Sequence, residues 1–570
     1  MKFKALQVQN FRSFEDINID LSNKNIFFGL NDVGKTNLLT ALRFVFDRSI
    51  RKNDFIDSDY FEKKTESPIE ILVAIDISDN NEDSAKLRAR LRGSILSGQD
   101  LIYIKLIAKY DNSEMVGVAE MFWGGDKENL NPIKLRGTHF DIDNVFNVFY
   151  IDSYVDMDQL FKRNIKKLIQ SDTEDDKVIN ESINDIVDQL NEKIASLSGV
   201  SEFESKITPA YQKFTDENIS IAIKSEIAVK GLYSNIVPYM KKTDDDKTYP
   251  TAGEGRKKLV VYSLFTLLAE QEADEKINLF LVEEPENNLH KSLQIELSQI
   301  LFDNSESYPY LFVSTHSPYI LYEMNKVTLV RIFSERRVTS NSSFYKVPDN
   351  FQDNKKMLNR LIAEAIFSNK VLLVEGPSEQ AFFDKVLSVI KPYYEVYGIY
   401  ILSVNGIGFK NYQPILNDLE IDYSIKTDND IQWRKNSGFY ALGFSRVNSL
   451  ISRDLQTDWK FKDYHETKNE FKEKSIRYRR TLYNMDQNLP ILNSIREKNH
   501  IYLSKVDLEN DLDEVLHTNL ILRLGEEDPV DYLQSAKNNH MVKLVEKLTD
   551  EDCITIYNDY NFACLKDLVE

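Results

Sequence analysis

The sequence predicts an α/β protein made of two α/β units in series, the first interrupted by a long helical insertion. Three observations lead there. Gly29-Leu30-Asn31-Asp32-Val33-Gly34-Lys35-Thr36 fits the phosphate-cradling pattern G-x-x-x-x-G-K-[ST] between a short apolar strand and a helix. From about 155 to 228 the strand pattern gives way to polar helical stretches such as Asp176 to Leu197. Beyond 370, apolar strands that end in acids alternate with helical stretches, as in a second, mainly parallel sheet. The resulting division is 1–154 and 229–348 for the two parts of the first unit, 155–228 for the insertion, 349–369 for a linker helix and 370–570 for the second unit. The insertion is expected to serve dimerisation.

In chain order, Phe3 to Val8 and Ile17 to Leu21 alternate apolar and polar residues, and Asn25 to Phe28 is a short apolar strand. Asn37 to Phe46 reads as the helix after the glycine loop. Further strands are expected at 69–77, 101–109, 277–283, 310–314 and 328–333. A helix over about 353–368 leads into the strand Val371 to Val374, and the second sheet continues at about 421–426 and 501–506.

At 570 residues the chain is too long for one hydrophobic core, and 42% hydrophobic with 28% charged residues is an ordinary globular composition. Cys553 and Cys564 cannot build a disulfide framework. The start Met1-Lys2-Phe3-Lys4-Ala5 runs straight into a strand pattern, and no apolar run is long enough to span a membrane. A cytoplasmic protein without a membrane partner is expected. The net charge of −20 excludes a non-specific DNA coat, which needs clustered Lys and Arg to release counterions. Local binding remains open through Lys460, Lys462, Lys468, Lys472, Lys474, Arg477, Arg479 and Arg480, a run that also reads as a solvated helix face with Glu partners.

The glycines of the first motif let backbone N–H groups turn toward the β- and γ-phosphates, Lys35 adds a point charge, and the Thr36 hydroxyl completes a magnesium ligand set. Ile277 to Val282 is an apolar run ending in Glu283-Glu284-Pro285-Glu286. Glu283 is expected on the metal side and Glu284 as the base that polarises water. His316, in Ser314-Thr315-His316-Ser317-Pro318 after another apolar strand, is expected to sense the γ-phosphate. Thr251-Ala252-Gly253-Glu254-Gly255-Arg256 reads either as a simple turn or as a segment whose Gly253 and Arg256 reach a nucleotide held by a second copy.

This order of motifs resembles the ABC-type ATPase heads of the RecF, SMC and overcoming-lysogenization-defect (OLD) proteins. Asn10-Phe11-Arg12-Ser13-Phe14 is similar to the first turn of those heads. The nucleotide-binding set so expected is Arg12, Asn31, Gly34, Lys35, Thr36, Asn37, Gly253 and Arg256. Two departures stand out. The metal-side acid is Glu283 where the family has Asp, and the Gly-rich segment is a degenerate signature, so binding of ATP rather than rapid turnover is expected. The insertion is too short for an SMC-type arm.

In the second unit, Glu375 ends a strand, and a helix starting near Pro377 would put Glu379 one turn beyond it. Asp428 and Asp430 follow the next strand at i and i+2, and Asp507 and Glu509 repeat that spacing. Hard oxygen ligands of this kind suit Mg2+ or Mn2+ and the cleavage of a phosphodiester. Lys537 is the candidate cation for the negative charge of the transition state.

E-G-x-x-E followed by D-x-D resembles the Toprim domain of topoisomerases, primases and OLD nucleases, and an ABC head followed by Toprim is the OLD architecture. DNVFNVFYI, YPTAGEGRKKL, LVEEPE, LLVEGPSE, IKTDND, YLSKVDLENDL and FACLKDLV are similar to the OLD-family endonuclease subunit of Gabija anti-phage defence systems. That resemblance spans essentially the whole chain. It implies an endonuclease that nicks or cuts double-stranded DNA, restrained by ATP at the head. It also implies a homotetramer and a GajB-like superfamily 1 helicase partner. By motif, Glu379, Asp507 and Lys537 carry over as catalytic residues, with Glu375, Asp428, Asp430 and Glu509 as metal ligands. The rival reading is an ATP-driven DNA-repair ATPase of RecF or SMC type whose Toprim acids are structural. A topoisomerase lacks room for its tyrosine domain, and a primase would show nucleotide polymerisation.

Overall fold

The computed structural model describes residues 1–30, 33–79, 81–91, 99–136, 139–154, 254–272, 275–303, 308–334, 338–343, 355–406, 408–435, 438–459 and 467–570, with short pieces between 182 and 250. The 155–228 insertion and its expected dimerisation role lie almost wholly outside the described residues, as do Asn31 and Gly253.

Two sheets build the head. The first is antiparallel, in the order Phe14–Asp20, Lys2–Phe11, Ile69–Asp76, Leu101–Asp111, Val116–Gly124 and Asn131–Pro132. A register shift between Phe3 and Ala5 changes the phase of alternation, so Phe3 and then Leu6 and Val8 all point inward. The second sheet runs Phe146–Ile151, Ile277–Glu283, Leu311–Thr315, Lys24–Phe28, Thr328–Ser334 and Val338–Ser343, parallel except for the last pair. Its central strands Ile277–Glu283 and Leu311–Thr315 are buried on both faces because both are covered. Leu38, Leu39, Leu42 and Val45 of the helix Lys35–Phe46 share one core with Phe27, Leu279 and Phe312. Val261, Phe265, Leu297 and Leu301 share the other with Ile26 and Phe28.

The C-terminal sheet is parallel, in the order Ile399–Ser403, Lys370–Val374, Asp422–Thr427 and Ile501–Leu503. Period-two alternation sends Val371 and Leu373 into the core that holds Ile26 and Phe28, so the head and the C-terminal sheet are continuous there. Leu372 and Val374 face Phe382, Phe383 and Val386 of the helix Pro377–Ile390. Three expectations are corrected. The strand Ile399–Ser403 is additional, the linker helix, described as Lys355–Ala365, ends at Ala365 rather than about 368, and the last strand stops at Leu503 rather than 506. That strand ends early because the Asp507 carboxylate accepts from the Asn510 N–H at 3.0 Å and caps the helix Leu508–Leu524. No helix among the described residues is long and apolar enough to cross a membrane.

Candidate catalytic and nucleotide sites

In the head, Lys24–Phe28 delivers the chain into the glycine loop, where Gly29 and Gly34 have φ of +152° and +102°. A Cβ on Gly34 would lie 2.3 Å from Ser13 Oγ, so the turn of Arg12 and Phe14 packs directly on the loop. Lys35 Nζ donates to the carbonyls of Gly29 (3.1 Å) and Leu30 (2.8 Å), which folds its charge over the loop. Thr36 Oγ1 donates to Glu283 Oε1 at 2.5 Å, and the Tyr150 hydroxyl donates to Glu283 Oε2. The predicted Thr36–Glu283 pair is thus together, and Tyr150 is an addition from the neighbouring strand. Arg12 donates from Nε to Asp59 Oδ1 (2.9 Å) and from Nη1 to Asn37 Oδ1 (3.3 Å).

Past Glu283 the backbone turns sharply, with Glu284 at φ +42°. His316 Nδ1 lies 3.4 Å from Glu284 Oε1 and 3.6 Å from Glu286 Oε1. Glu286, read from the sequence only as part of the motif, is the buried acid of the three. It accepts from Thr315 Oγ1 and from the His316 N–H, both at 2.8 Å, and burial pushes its carboxyl up. Arg256 lies in the helix Glu254–Glu272, and its side chain is outside the described residues.

The second site forms along the carboxyl ends of the parallel strands, where open α/β sheets hold ligands. Glu375 leaves the central strand. Its Oε1 accepts from Thr427 Oγ1 (2.6 Å), the Asp428 N–H (2.9 Å) and Arg446 Nη1. Arg446, on the helix Leu442–Ile451, also donates from Nη2 to Asp430 Oδ2 at 2.8 Å. Gly376 caps the helix Pro377–Ile390, and Glu379 stands in its first turn with Ser378 Oγ donating to Oε2 at 3.0 Å. Asp507 Oδ2 accepts from Arg479 Nη1 and Gln534 Nε2, both at 3.1 Å. Lys537 Nζ is 3.9 Å from Glu509 Oε1, while the other oxygen of Glu509 is buried without a hydrogen-bond partner.

The electrostatics match this crowding. Burial, then Glu375 and Asp507, push the Asp428 carboxyl well above the carboxylate range. Burial raises Glu375 against the pull of Arg446, and raises Glu509 against that of Lys537. Burial alone would lower Lys537, but Glu509, Asp428, Glu379 and Asp507 together outweigh it and push the ammonium up. Lys537 is therefore charged at neutral pH.

Two spacing arguments are corrected. Asp428 is buried while the side chain of Asp430 is 43% exposed and tied to Arg446, so the two do not present one face. Asp507 and Glu509 belong to a helix start, not to a strand end. Nor do the expected ligands Glu375, Glu379, Asp428, Asp430, Asp507 and Glu509 close on one point. Among the described residues no group of three or more His, Cys, Asp or Glu stands ready to hold a metal ion. Arg446, Arg479 and Lys537 lie against these carboxylates instead. The donor chemistry still fits a hard divalent cation, since every member is a carboxylate and Glu509 offers an unpaired buried oxygen. Arg446 and Gln534 were not legible as site residues, since they come from helix faces without a motif, and Arg479 was read only as part of the basic run and not as a partner of Asp507.

Residues 1–116 and 150–321 match the AAA ATPase domain, and residues 366–430 match the Toprim domain of overcoming lysogenization defect-like proteins. The second match takes in Glu375, Glu379, Asp428 and Asp430 and stops short of Asp507. Over its whole length the chain is 41% identical to Endonuclease GajA of Bacillus cereus (strain VD045), covering 99% of that protein. The chain belongs to the GajA family. It is 19% identical to a second GajA, from Bacillus cereus (strain HuB5-5), over 83% of this chain and 82% of that one. It is 23% identical to the OLD nuclease of Thermus scotoductus over 75% of this chain and 82% of that protein. The ATPase head and the Toprim domain seen in the fold are thus both those of the GajA family.

Proposed function

We propose that this GajA-family chain is a metal-dependent endonuclease that nicks or cleaves double-stranded DNA at the Toprim acids and is inhibited by ATP bound to its head. The observation that carries this reading is that Glu375, Asp428, Asp507 and Glu509 lie with Lys537 around the carboxyl ends of the parallel strands. Mg2+ or Mn2+, when bound there, would activate water and stabilise the leaving oxygen. Glu375, Glu379, Asp428, Asp430, Asp507 and Glu509 are the proposed donors. Glu379 and Asp507 flank the reacting phosphate, and the charged Lys537 offsets its developing negative charge. Arg479 and Gln534 orient Asp507, and Arg446 orients Glu375. In the head, Arg12, Lys35, Thr36 and Asn37 hold the nucleotide. Glu283, Glu284 and His316 surround its γ-phosphate, and Gly253 and Arg256 act on a nucleotide in a second copy. The units 1–154 with 229–348, 155–228, 349–369 and 370–570 are the proposed domains. A homotetramer, a GajB-like superfamily 1 helicase partner and a role in anti-phage defence in the bacterial cytoplasm complete the proposal.

The test is nicking of a supercoiled plasmid with Mg2+ while ATP is titrated. ATP is expected to slow nicking at least tenfold, and Lys35→Ala to remove that response while preserving cleavage. Equal inhibition of Lys35→Ala and the parent would refute regulation through this P-loop.

The helix Lys468–Tyr483 favours a path for the DNA. Its residues Lys468, Lys472 and Arg479 fall within about 40° of one another around the axis, over about 16 Å. This row ends at Asp507, which Arg479 contacts. Glu470, one of the two acids on the helix, is held by the Thr467 N–H at 2.7 Å in the cap. Lys460 and Lys462 lie outside the described residues. Lys472→Glu is expected to weaken duplex binding uniformly across sequences and to lower the slope of log affinity against log salt by about one. An unchanged slope in a filter-binding titration would assign this face to solvent.

A further inference from the structure

Arg331 is a buried arginine that makes four hydrogen bonds into the other domain. It sits in the head strand Thr328–Ser334, yet its guanidinium donates to the carbonyls of Leu419 (2.9 Å), Glu420 (2.7 Å) and Ser368 (3.3 Å) and to Asn369 Oδ1 (2.9 Å). Those acceptors are the roots of two Toprim strands. Asn369 precedes Lys370–Val374, which runs into Glu375, and Glu420 precedes Asp422–Thr427, which runs into Asp428. The two roots are also tied to each other, because the Asp422 N–H donates to the Asn369 carbonyl at 3.1 Å.

On the head side, the same arginine stands beside the nucleotide loop. Its Cα pairs with Phe28, the last residue before Gly29. A Cβ on Gly29 would lie 2.1 Å from the Ile332 carbonyl oxygen, so the loop starts in direct contact with the backbone next to Arg331. The Gly29 carbonyl in turn accepts from Lys35 Nζ at 3.1 Å. A second contact runs in parallel, for Phe28 packs edge-to-face on Phe367 at 5.4 Å, one residue before Ser368.

We infer that Arg331 is a positioning residue through which the nucleotide state of the P-loop sets the placement of the Toprim acids. Lys35 and Gly29 respond to phosphates directly. Gly29 cannot move without the backbone at Ile332, and Arg331 carries that displacement to both strand roots at once. Strands of five and six residues are stiff over roughly 17–20 Å, so a shift at the root arrives at Glu375 and Asp428. Packed interfaces of this kind switch between discrete arrangements rather than deforming smoothly. A purely adhesive arginine would hold the domains together equally well with or without nucleotide, and in that the two roles differ. The inference rests on the reading of this chain as an ATP-restrained endonuclease.

The experiment compares full-length parent, Arg331→Lys and Asn369→Ala in plasmid nicking with Mg2+ across an ATP titration. Binding of a fluorescent ATP analogue and thermal melting are measured in parallel. Arg331→Lys keeps the charge but loses the planar fork that spans both roots. Both variants are expected to nick within about twofold of the parent without ATP and to bind the analogue within about twofold. The ATP concentration for half-inhibition should rise at least tenfold. Asn369→Ala removes a single acceptor, so it reports on the relay should Arg331→Lys melt early. A parent inhibited by ATP with both variants inhibited equally overturns the role of Arg331 alone. A parent indifferent to ATP overturns the regulatory reading and this relay with it.

Discussion

Asp428→Asn is expected to abolish cleavage while making the metal-free protein more stable. Loss of one proposed metal-holding carboxylate should lower plasmid nicking by roughly a thousandfold, on the scale of removing one preorganised charged group from an active site. The stability change has the opposite sign. Burial, Glu375 and Asp507 push the Asp428 carboxyl above its ordinary 3.8, so the folded state holds its proton where the unfolded chain has released it. Well below pH 3.8 the carboxyl is protonated in both states and carries no penalty. As pH rises through the raised value the penalty grows to its full size, and stability is lost. Asn retains an oxygen for the Leu508 N–H, which donates to Asp428 at 3.2 Å, and carries no charge. The variant should therefore melt a few degrees higher than the parent at pH 8 in EDTA, and together with it at a pH well below 3.8. Mg2+ should raise the melting temperature of the parent and not of the variant. A variant that melts lower than the parent at pH 8 would show that Asp428 holds the fold rather than straining it.

The head was readable because its chemistry is written in contiguous runs. Gly29 to Thr36 fixes strand, loop and helix together, and Thr36 meets Glu283 as the pairing of loop and acidic strand demands. The Toprim acids were readable for the same reason at Glu375, Glu379 and Asp428, each a few residues past an apolar run. Reading by spacing broke down where two structures share one pattern. Asp507 and Glu509 look like a strand exit with acids two apart, but the same letters make a capped helix, and the Asn510 N–H decides for the helix. The cations were hidden for a different reason. Arg446 reaches Glu375 from 71 residues away, from a helix whose own sequence carries no motif. Tyr150 and Arg331 likewise act on partners that only the strand order brings near. Side chains that orient catalytic groups are set by packing between distant elements, and a single sequence records packing only as hydrophobicity.

Asp511→Ala is expected to cost about 3–5 kcal/mol, the range for breaking one side of a fully buried ion pair. Lys426 Nζ donates to Asp511 Oδ2 at 2.7 Å, with side-chain exposures of only 3% and 1%. The ammonium also donates to the Asn561 carbonyl at 3.1 Å and lies 5.6 Å from the centre of the Phe562 ring. Removing Asp511 leaves a charge surrounded by the C-terminal packing, with one carbonyl as its remaining polar partner among these contacts. Asp511 itself has an oxygen without a hydrogen-bond partner, so the pair is not optimised for stability alone. Its position explains why it is there. Lys426 belongs to the strand that runs into Asp428, and Asp511 to the helix that Asp507 caps, so the pair fastens two acid-bearing elements from behind. Lys426→Met with Asp511→Ala should recover most of the lost stability, because the doubly substituted site buries no charge. Nicking should not recover with it, since a hydrophobic pair does not fix the register of Asp428 against Asp507. A double variant that regains stability and full cleavage together would show that packing alone aligns the two acids, and that the ion pair contributes nothing to their placement.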